Sequence, residues 1–287
     1  MSMHTNPKPE TRNPKPDFSG RAAIMGILNI TPDSFSDGGL FLGRDQAVAH
    51  ALAMAADGAD IIDIGGESTR PGAPAVSVEQ ELARVIPVIE AVRAAVELPI
   101  SIDTSKPEVM RAAVAAGAGL INDVRALREP GALAAAADLG VPVCLMHMQG
   151  EPRTMQANPV YGDVLAEVRE FLAGRIAACE AAGIPRARLI VDPGFGFGKA
   201  VAHNLALLRG LSELAGLGCP VLAGLSRKSL IGAVLGLPVD ERLHASVALA
   251  LIAVQNGASI VRVHDVRATR DAVRMWEAVQ PRAGEQS

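Results

Sequence analysis

Aromatic side chains are scarce in this chain of 287 residues, which holds one Trp, one Tyr and six Phe. The hydrophobic share is nonetheless 49%, so the apolar mass is Ala, Val, Leu and Ile. That composition suits helices packed closely on a buried parallel sheet, although an Ala-favouring genome produces it too. Only three cysteines are present, Cys144, Cys179 and Cys219, and no Cys-x-x-Cys occurs. A disulfide framework and a zinc site are therefore not expected, and the thiols read as reduced, structural and cytosolic. Without a Cys/His cluster, a tightly held transition metal is not expected either. No basic run stands out, and 27 Lys and Arg against 31 Asp and Glu give a net charge of −4. Binding to nucleic acid through phosphate neutralisation is thus not expected. No apolar stretch reaches the length of a membrane span. Residues 1–20 repeat Asn-Pro-Lys-Pro at Asn6 and Asn13 and carry no apolar run of the secretory type. They read as a disordered, Pro-rich tail, and residues 281–287 read as a second, short tail.

Between the tails, residues 21–280 repeat one pattern: a helical face, a Gly, three to five apolar residues, then a polar tip. Ile24–Asn29 is the first apolar run, short and bounded by turn residues, as expected of a buried strand. Further runs end near Asp63, Asp103, Asn122 and Asp123, His147, Asp192, Gly224, and Arg262 with His264. Helical faces lie between them, over Arg44–Asp57 and Gly162–Ala182 among others, with a capping box predicted at Ser77 and Gln80. Ser105 and Glu108 are read as capping a further helix, and Pro87 as bending the one before it. Alternating strand and helix imply a parallel sheet with right-handed crossovers. Eight units at this length predict an α/β fold, a (β/α)8 TIM barrel in a single domain. An open doubly wound sheet is the alternative. The barrel places chemistry at the C-terminal ends of its strands, where the polar tips lie.

Individual signals have plainer readings beside the functional ones. Asp33–Gly38 has neither the spacing nor the terminal Glu of an EF-hand, and its plainer reading is a surface loop whose Asp and Gly residues only make turns. Gly194-Phe-Gly-Phe-Gly198-Lys199 fails both the P-loop and the dinucleotide pattern. It reads as a tight turn that lets Phe195 or Phe197 line a pocket. His147, taken alone, reads as a satisfied core histidine. Arg262 and His264 stand two apart on one strand and so face the same side. With Lys228 and Arg70 they would form a cationic mouth suited to a pyrophosphorylated substrate, unless ion pairs absorb the charge. Asp103, Asn122 and Asp192 fit the N–H and amino edge of a flat nitrogenous ring. Asn29 is an oxygen donor of the sort that suits Mg²⁺ held largely by phosphate oxygens.

Gly26–Gly39, Asp63–Gly72, Leu145–Gly150, Asp192–Lys199, Ser226–Ser229 and Arg262–His264, taken in order, resemble the dihydropteroate synthase family. The resemblance spans Ala22–Val279; Ala200, where many members have Thr, is a small departure. It implies a cytoplasmic homodimer of (β/α)8 barrels that takes part in bacterial folate synthesis. It implies that 6-hydroxymethyl-7,8-dihydropterin pyrophosphate is joined to p-aminobenzoate with Mg²⁺, releasing pyrophosphate. By the same resemblance Asp103, Asn122, Met146, Asp192, Lys228 and Arg262 meet the pterin. Phe35, Thr69, Pro71, Phe197, Ser226 and Lys228 form the p-aminobenzoate pocket. Asn29, Arg70, Arg262 and His264 hold the pyrophosphate, with Asn29 at the metal; Asp103, Lys228, Arg262 and His264 are the catalytic set. C–O cleavage first, capture of a pterin-methyl cation second, and inhibition by sulfonamides are also implied. Residues 31–43 are expected to form a loop that is poorly ordered without ligand and closes over the second substrate. A pterin-binding methyltransferase, a Schiff-base aldolase using Lys228 or Lys199, and a non-catalytic paralogue are the competing readings.

Overall fold

The computed structural model describes residues 13–18, 20–30, 39–68, 73–150, 155–156 and 158–280. Strand and helix alternate from β1 (Ala23–Asn29) and α1 (Gly39–Ala56) through β2 (Ile61–Gly65), α2 (Val78–Ala95), β3 (Ile100–Asp103), α3 (Pro107–Ala116) and β4 (Leu120–Asp123). They continue as α4 (Ala132–Leu139), β5 (Val143–Met146), α5 (Val164–Ala181), β6 (Leu189–Asp192), α6 (Val201–Arg209), α7 (Leu211–Ala215) and β7 (Leu222–Ala223). α8 (Ser229–Leu235), α9 (Leu243–Gln255), β8 (Ile260–Val263) and α10 (Val266–Val279) complete the chain. All paired strands are parallel, in the order β6-β5-β4-β3-β2-β1-β8-β7. A bridge from Val191 to Val221 joins the two ends, so the sheet closes into the barrel expected from the sequence.

The two-residue period of a strand divides the apolar residues between two cores. Ile24, Leu28, Ile62, Ile64, Ile100, Ile102, Ile121, Val143, Leu145, Val191 and Val261 point outward and pack under the helices. Ala23, Met25, Ile61, Leu120, Cys144, Ile190, Leu222 and Ile260 fill the barrel interior. These lie toward the N-terminal ends of the strands. Two residues further along, the same inward positions are Asp63, Asp103, Asn122, Met146, Asp192 and Arg262. Alternation thus sends the polar tips into the barrel, above an apolar floor. The three cysteines are buried and free, as expected.

Several local expectations are corrected. α1 starts at Gly39, five residues before Arg44, so the end of the segment read as a loop is helical; residues 31–38 lie outside the described residues. Ser105 does not cap α3: its hydroxyl donates to Asp123 Oδ1 at 2.5 Å, and Pro107 opens that helix after Lys106, where a missing N–H is tolerated. Pro87 lies inside α2, the helix that it was expected to bend. The capping box of Ser77 and Gln80 is present.

The tail is also more structured than its composition predicts. Asn13 Nδ2 donates to the carbonyls of Val114 and Ala118, both at 2.9 Å, and Phe18 packs against the barrel floor. The chain passes so close to Gly119 that an added Cβ there would collide with the Pro14 carbonyl. The disorder expected over residues 1–20 therefore does not describe 13–18: Phe18 covers apolar surface that would otherwise face water. Phe18→Ala is expected to cost about 2 kcal/mol, read as a fall of roughly 4–8 °C in Tm. Turnover should be unchanged, because the site lies at the other end of the strands. An unaltered Tm would show that the ring covers nothing of consequence.

Candidate active site

Five charged side chains converge inside the C-terminal end of the barrel. Arg262, inward on β8, donates from Nε to Asp63 Oδ2 at 2.6 Å and from Nη2 to Asp103 Oδ2 at 2.9 Å. Asn122 Nδ2 donates to the same Asp63 oxygen at 3.2 Å. Asp192 on β6 and Lys228 after β7 complete the set. Three carboxylates thus face two cations in a largely buried space. Burial pushes Asp103 up to about 7, with Arg262 pulling it down and Asp63 pushing it up. Burial raises Asp192 as well, opposed by Lys228 and by the Gly194 N–H that Asp192 accepts at 2.7 Å. Burial lowers Lys228 to about 8 against the pull of Asp192. Arg262 is disfavoured by burial, but Asp63 and Asp103 more than offset this and hold it above its ordinary value.

The turn that carries Lys228 is held from several sides. Arg227, next to it, has φ of +56°, a conformation that costs free energy in a non-Gly residue. Its amide donates to Ser246 Oγ at 2.9 Å, and its guanidinium clamps Asp265 at 2.5 and 3.1 Å. Arg242 Nη1 reaches the carbonyls of Arg227 and Lys228 at 3.0 and 3.3 Å. Lys228 Nζ then donates to the Phe195 carbonyl and lies 4.7 Å from the Phe197 ring centroid. Phe197 in turn packs on Val124, Met146, Met148 and Met155, an apolar wall beside the charges.

The Gly-rich turn 194–198 presses directly on the end of β5. Gly194 has φ of +68°, and a Cβ there would strike the His147 carbonyl. Lys199 is buried under this turn, with Nζ 2.9 Å from His147 Nδ1 and 3.0 Å from the carbonyls of Gly194 and Phe197. Burial lowers Lys199 to about 7 and His147 to about 3. The ring of Phe171 meets His147 edge-on at 4.9 Å. His147 is the satisfied core histidine that it resembled in isolation. Of the two Phe residues of the turn, Phe195 is in the core and Phe197 lines the site.

The structure therefore brings Asp103, Asn122, Met146, Asp192, Phe197, Lys228 and Arg262 together. Ser226 is buried, and its Oγ lies 3.0 Å from His264 Nδ1. Asn29 ends β1 and is exposed, in register with Gly65, which is in turn in register with Asp103. Phe35, Thr69, Arg70 and Pro71 lie outside the described residues. The flanks of the segment from Thr69 are fixed: Glu67 accepts from the Val76 amide at 3.1 Å, and Lys106 bridges Glu67 and the buried Glu81, each at 2.5 Å. Of the cationic mouth expected from the sequence, Arg70 lies outside the described residues, and Arg262 lies between two carboxylates, partners that a buried guanidinium requires. Sequence reasoning missed a role for Asp63. Its signal was position, two residues beyond inward-facing Ile61.

Against this geometry, a family model described as "Pterin binding enzyme" matches residues 25–264. The dihydropteroate synthase of Haemophilus influenzae is 59% identical over 255 residues, covering 89% of this chain and 93% of that one. A structure of the Xanthomonas albilineans dihydropteroate synthase in complex with 7,8-dihydropteroate is similar at a TM-score of 0.84 and 56% identity, over 93% of this chain and 99% of that one. A structure of the Yersinia pestis enzyme with a sulfonamide drug complex reaches a TM-score of 0.87 at 53% identity, over 91% and 95%. Motifs, barrel and inward polar cluster agree with this match along nearly the whole chain, and the chain belongs to the dihydropteroate synthase family of pterin-binding enzymes.

Proposed function

We propose that this chain condenses 6-hydroxymethyl-7,8-dihydropterin pyrophosphate with p-aminobenzoate to give 7,8-dihydropteroate and pyrophosphate. The observation that carries the reading is the inward cluster of Asp103, Asn122, Asp192, Lys228 and Arg262 at the strand ends, in a chain similar throughout to a product-bound synthase. Asp103, Asn122 and Asp192 offer acceptors and an amide to the ring's N–H and amino edge, with Met146 against its face. The C–O bond to pyrophosphate breaks first, its electron pair leaving with the pyrophosphate. The arylamine nitrogen then attacks the pterin-methyl cation and loses its proton. Ionised Asp103 and Asp192 stabilise that cation, while Arg262, His264 and Arg70 take the charge growing on the leaving group. Phe197 and Ser226, with Phe35, Thr69 and Pro71, receive the p-aminobenzoate, whose neighbour Lys228 also reaches the pterin.

Among the described residues no group of three or more His, Cys, Asp or Glu is placed to hold a metal ion. The exposed Asn29 supplies one oxygen, a donor set that fits Mg²⁺ held mainly by pyrophosphate oxygens. That ion, when bound, stabilises charge on the departing oxygen. Small-molecule substrates, a homodimer and a cytosolic location belong to the same proposal; the buried free thiols suit a reducing compartment. No helix among the described residues is long and apolar enough to cross a membrane.

Pyrophosphate release by the pure protein should require both substrates and Mg²⁺ and should be inhibited by sulfonamides in competition with p-aminobenzoate. Release no faster than in a protein-free control would overturn the proposal. Within it, Phe197→Ala should raise the KM for p-aminobenzoate about tenfold, the equivalent of roughly 1.4 kcal/mol of ring contact. The KM for the pterin substrate should move less than threefold. Equal changes in the two constants would remove Phe197 from the arylamine pocket.

A further inference from the structure

Arg262 and Asp103 are both assigned to the substrate, yet in the ligand-free site they are bound to each other. Asp103 Oδ2 is engaged by Arg262 Nη2, so a ring that calls on this oxygen competes with the guanidinium for it. The two carboxylates holding Arg262 differ in their access. Asp103 stands at the strand end with 11% of its side chain exposed, whereas the Asp63 side chain, two positions deeper on β2, is fully buried. A ligand entering from the mouth meets Asp103 first. Asp63 Oδ2 also accepts from Asn122, a second residue assigned to the ring. Its Oδ1 has no partner among the described residues, and neither has the hydroxyl of Ser101, its register neighbour on β3. The bonds to Arg262 and Asn122 are thus the side-chain ties of this buried carboxylate.

We propose that Asp63 is a positioning residue: it holds Arg262 Nε as a fixed pivot while Nη2 exchanges Asp103 for substrate, and it holds Asn122 at the same time. The inference rests on the pterin reading of the site and deepens it. Retaining one ion pair keeps the guanidinium compensated throughout the exchange, whereas losing both would leave a charge unpaired in a dry space. The released Asp103 gains ring N–H donors in return, so neither partner is left unsatisfied.

The test uses the full chain. Asp63→Asn keeps the shape but removes the charge that holds Nε, leaving Arg262 to pair with Asp103 alone. The KM for the pterin pyrophosphate should then rise tenfold or more and kcat should fall, with the KM for p-aminobenzoate within twofold of wild type. A parallel rise in both KM values would overturn the proposal. A second measurement reads the wild-type protein itself. In wild-type protein labelled with ¹⁵N-arginine, the Nε–H resonance of Arg262, assigned by its absence in Arg262→Lys, should exchange slowly with and without the pterin pyrophosphate. Its Nη resonances should shift on binding. Rapid exchange of Nε–H in the complex would overturn the pivot. Wild-type turnover in that case would leave the synthase reading intact, whereas absence of turnover would remove that reading itself.

Discussion

Lys228→Met is expected to lower kcat/KM by about 10³ for both substrates while leaving Tm unchanged or slightly raised. Lys228 lies between the Asp192 side of the cluster and the Phe197 wall, so its loss reaches both halves of the reaction. A thousandfold loss corresponds to roughly 4 kcal/mol of transition-state stabilisation. Stability moves differently. The lysine is lowered from 10.5 to about 8, first of all by burial. Between those two values the unfolded chain binds the proton more readily than the folded one, so this group makes stability rise with pH across that window. Below it the buried ammonium opposes folding, and Met removes that opposition while filling similar space. A steep loss of activity without a fall in Tm would mark Lys228 as retained for chemistry. A fall in Tm matching the loss of activity would show that the side chain mainly holds the Gly-rich turn.

Asp103→Asn should reduce kcat about 10²-fold and abolish the acid limb of the pH–rate profile. In the wild type Asp103 is raised to about 7, chiefly by burial, while Arg262 lowers it and Asp63, Glu81 and Asp123 raise it further. Lowering the pH through 7 therefore protonates the carboxyl and removes the negative charge that faces the developing cation, so the rate falls toward acid. An amide in its place cannot titrate, and the profile of the variant should be low and flat on that side. An acid limb that survives at the same pH in the variant would assign the titration to another group. The pivot proposed for Asp63 touches the same carboxylate, but it is read from binding constants and resonances rather than from pH.

The barrel was legible because its repeat is simple: apolar run, polar tip, helix, Gly. The inward destination of Asp103, Asn122, Asp192 and Arg262 follows from strand period alone once one inward residue is fixed. What the sequence did not disclose is which charges meet. Asp63 and Arg262 are 199 residues apart, and only barrel closure makes them neighbours, so the pairing of Arg262 was not legible in the sequence. Lys199 invited a phosphate-loop or Schiff-base reading, yet its ammonium is tied to His147 and two carbonyls beneath the turn. Ser105 matched a capping pattern, but a buried carboxylate, Asp123, was the stronger attraction. In each case a tertiary contact overrode a local signal. The segment read first as tail was misjudged for the same reason, since Phe18 finds its partners on strands that follow it in sequence.

The closure of the barrel between β6 and β7 carries a further consequence. β7 has two residues, and its join to β6 is the bridge at Val191 and Val221, with the Val191 amide donating to the Pro220 carbonyl at 3.0 Å. Local opening begins where backbone hydrogen bonds are fewest, so this seam should breathe before the β1–β2 side does. Asp192 lies on one lip of it and Lys228 beyond the other. A substrate touching both would act as a stitch across the gap, and its departure would loosen the wall where the product has to leave.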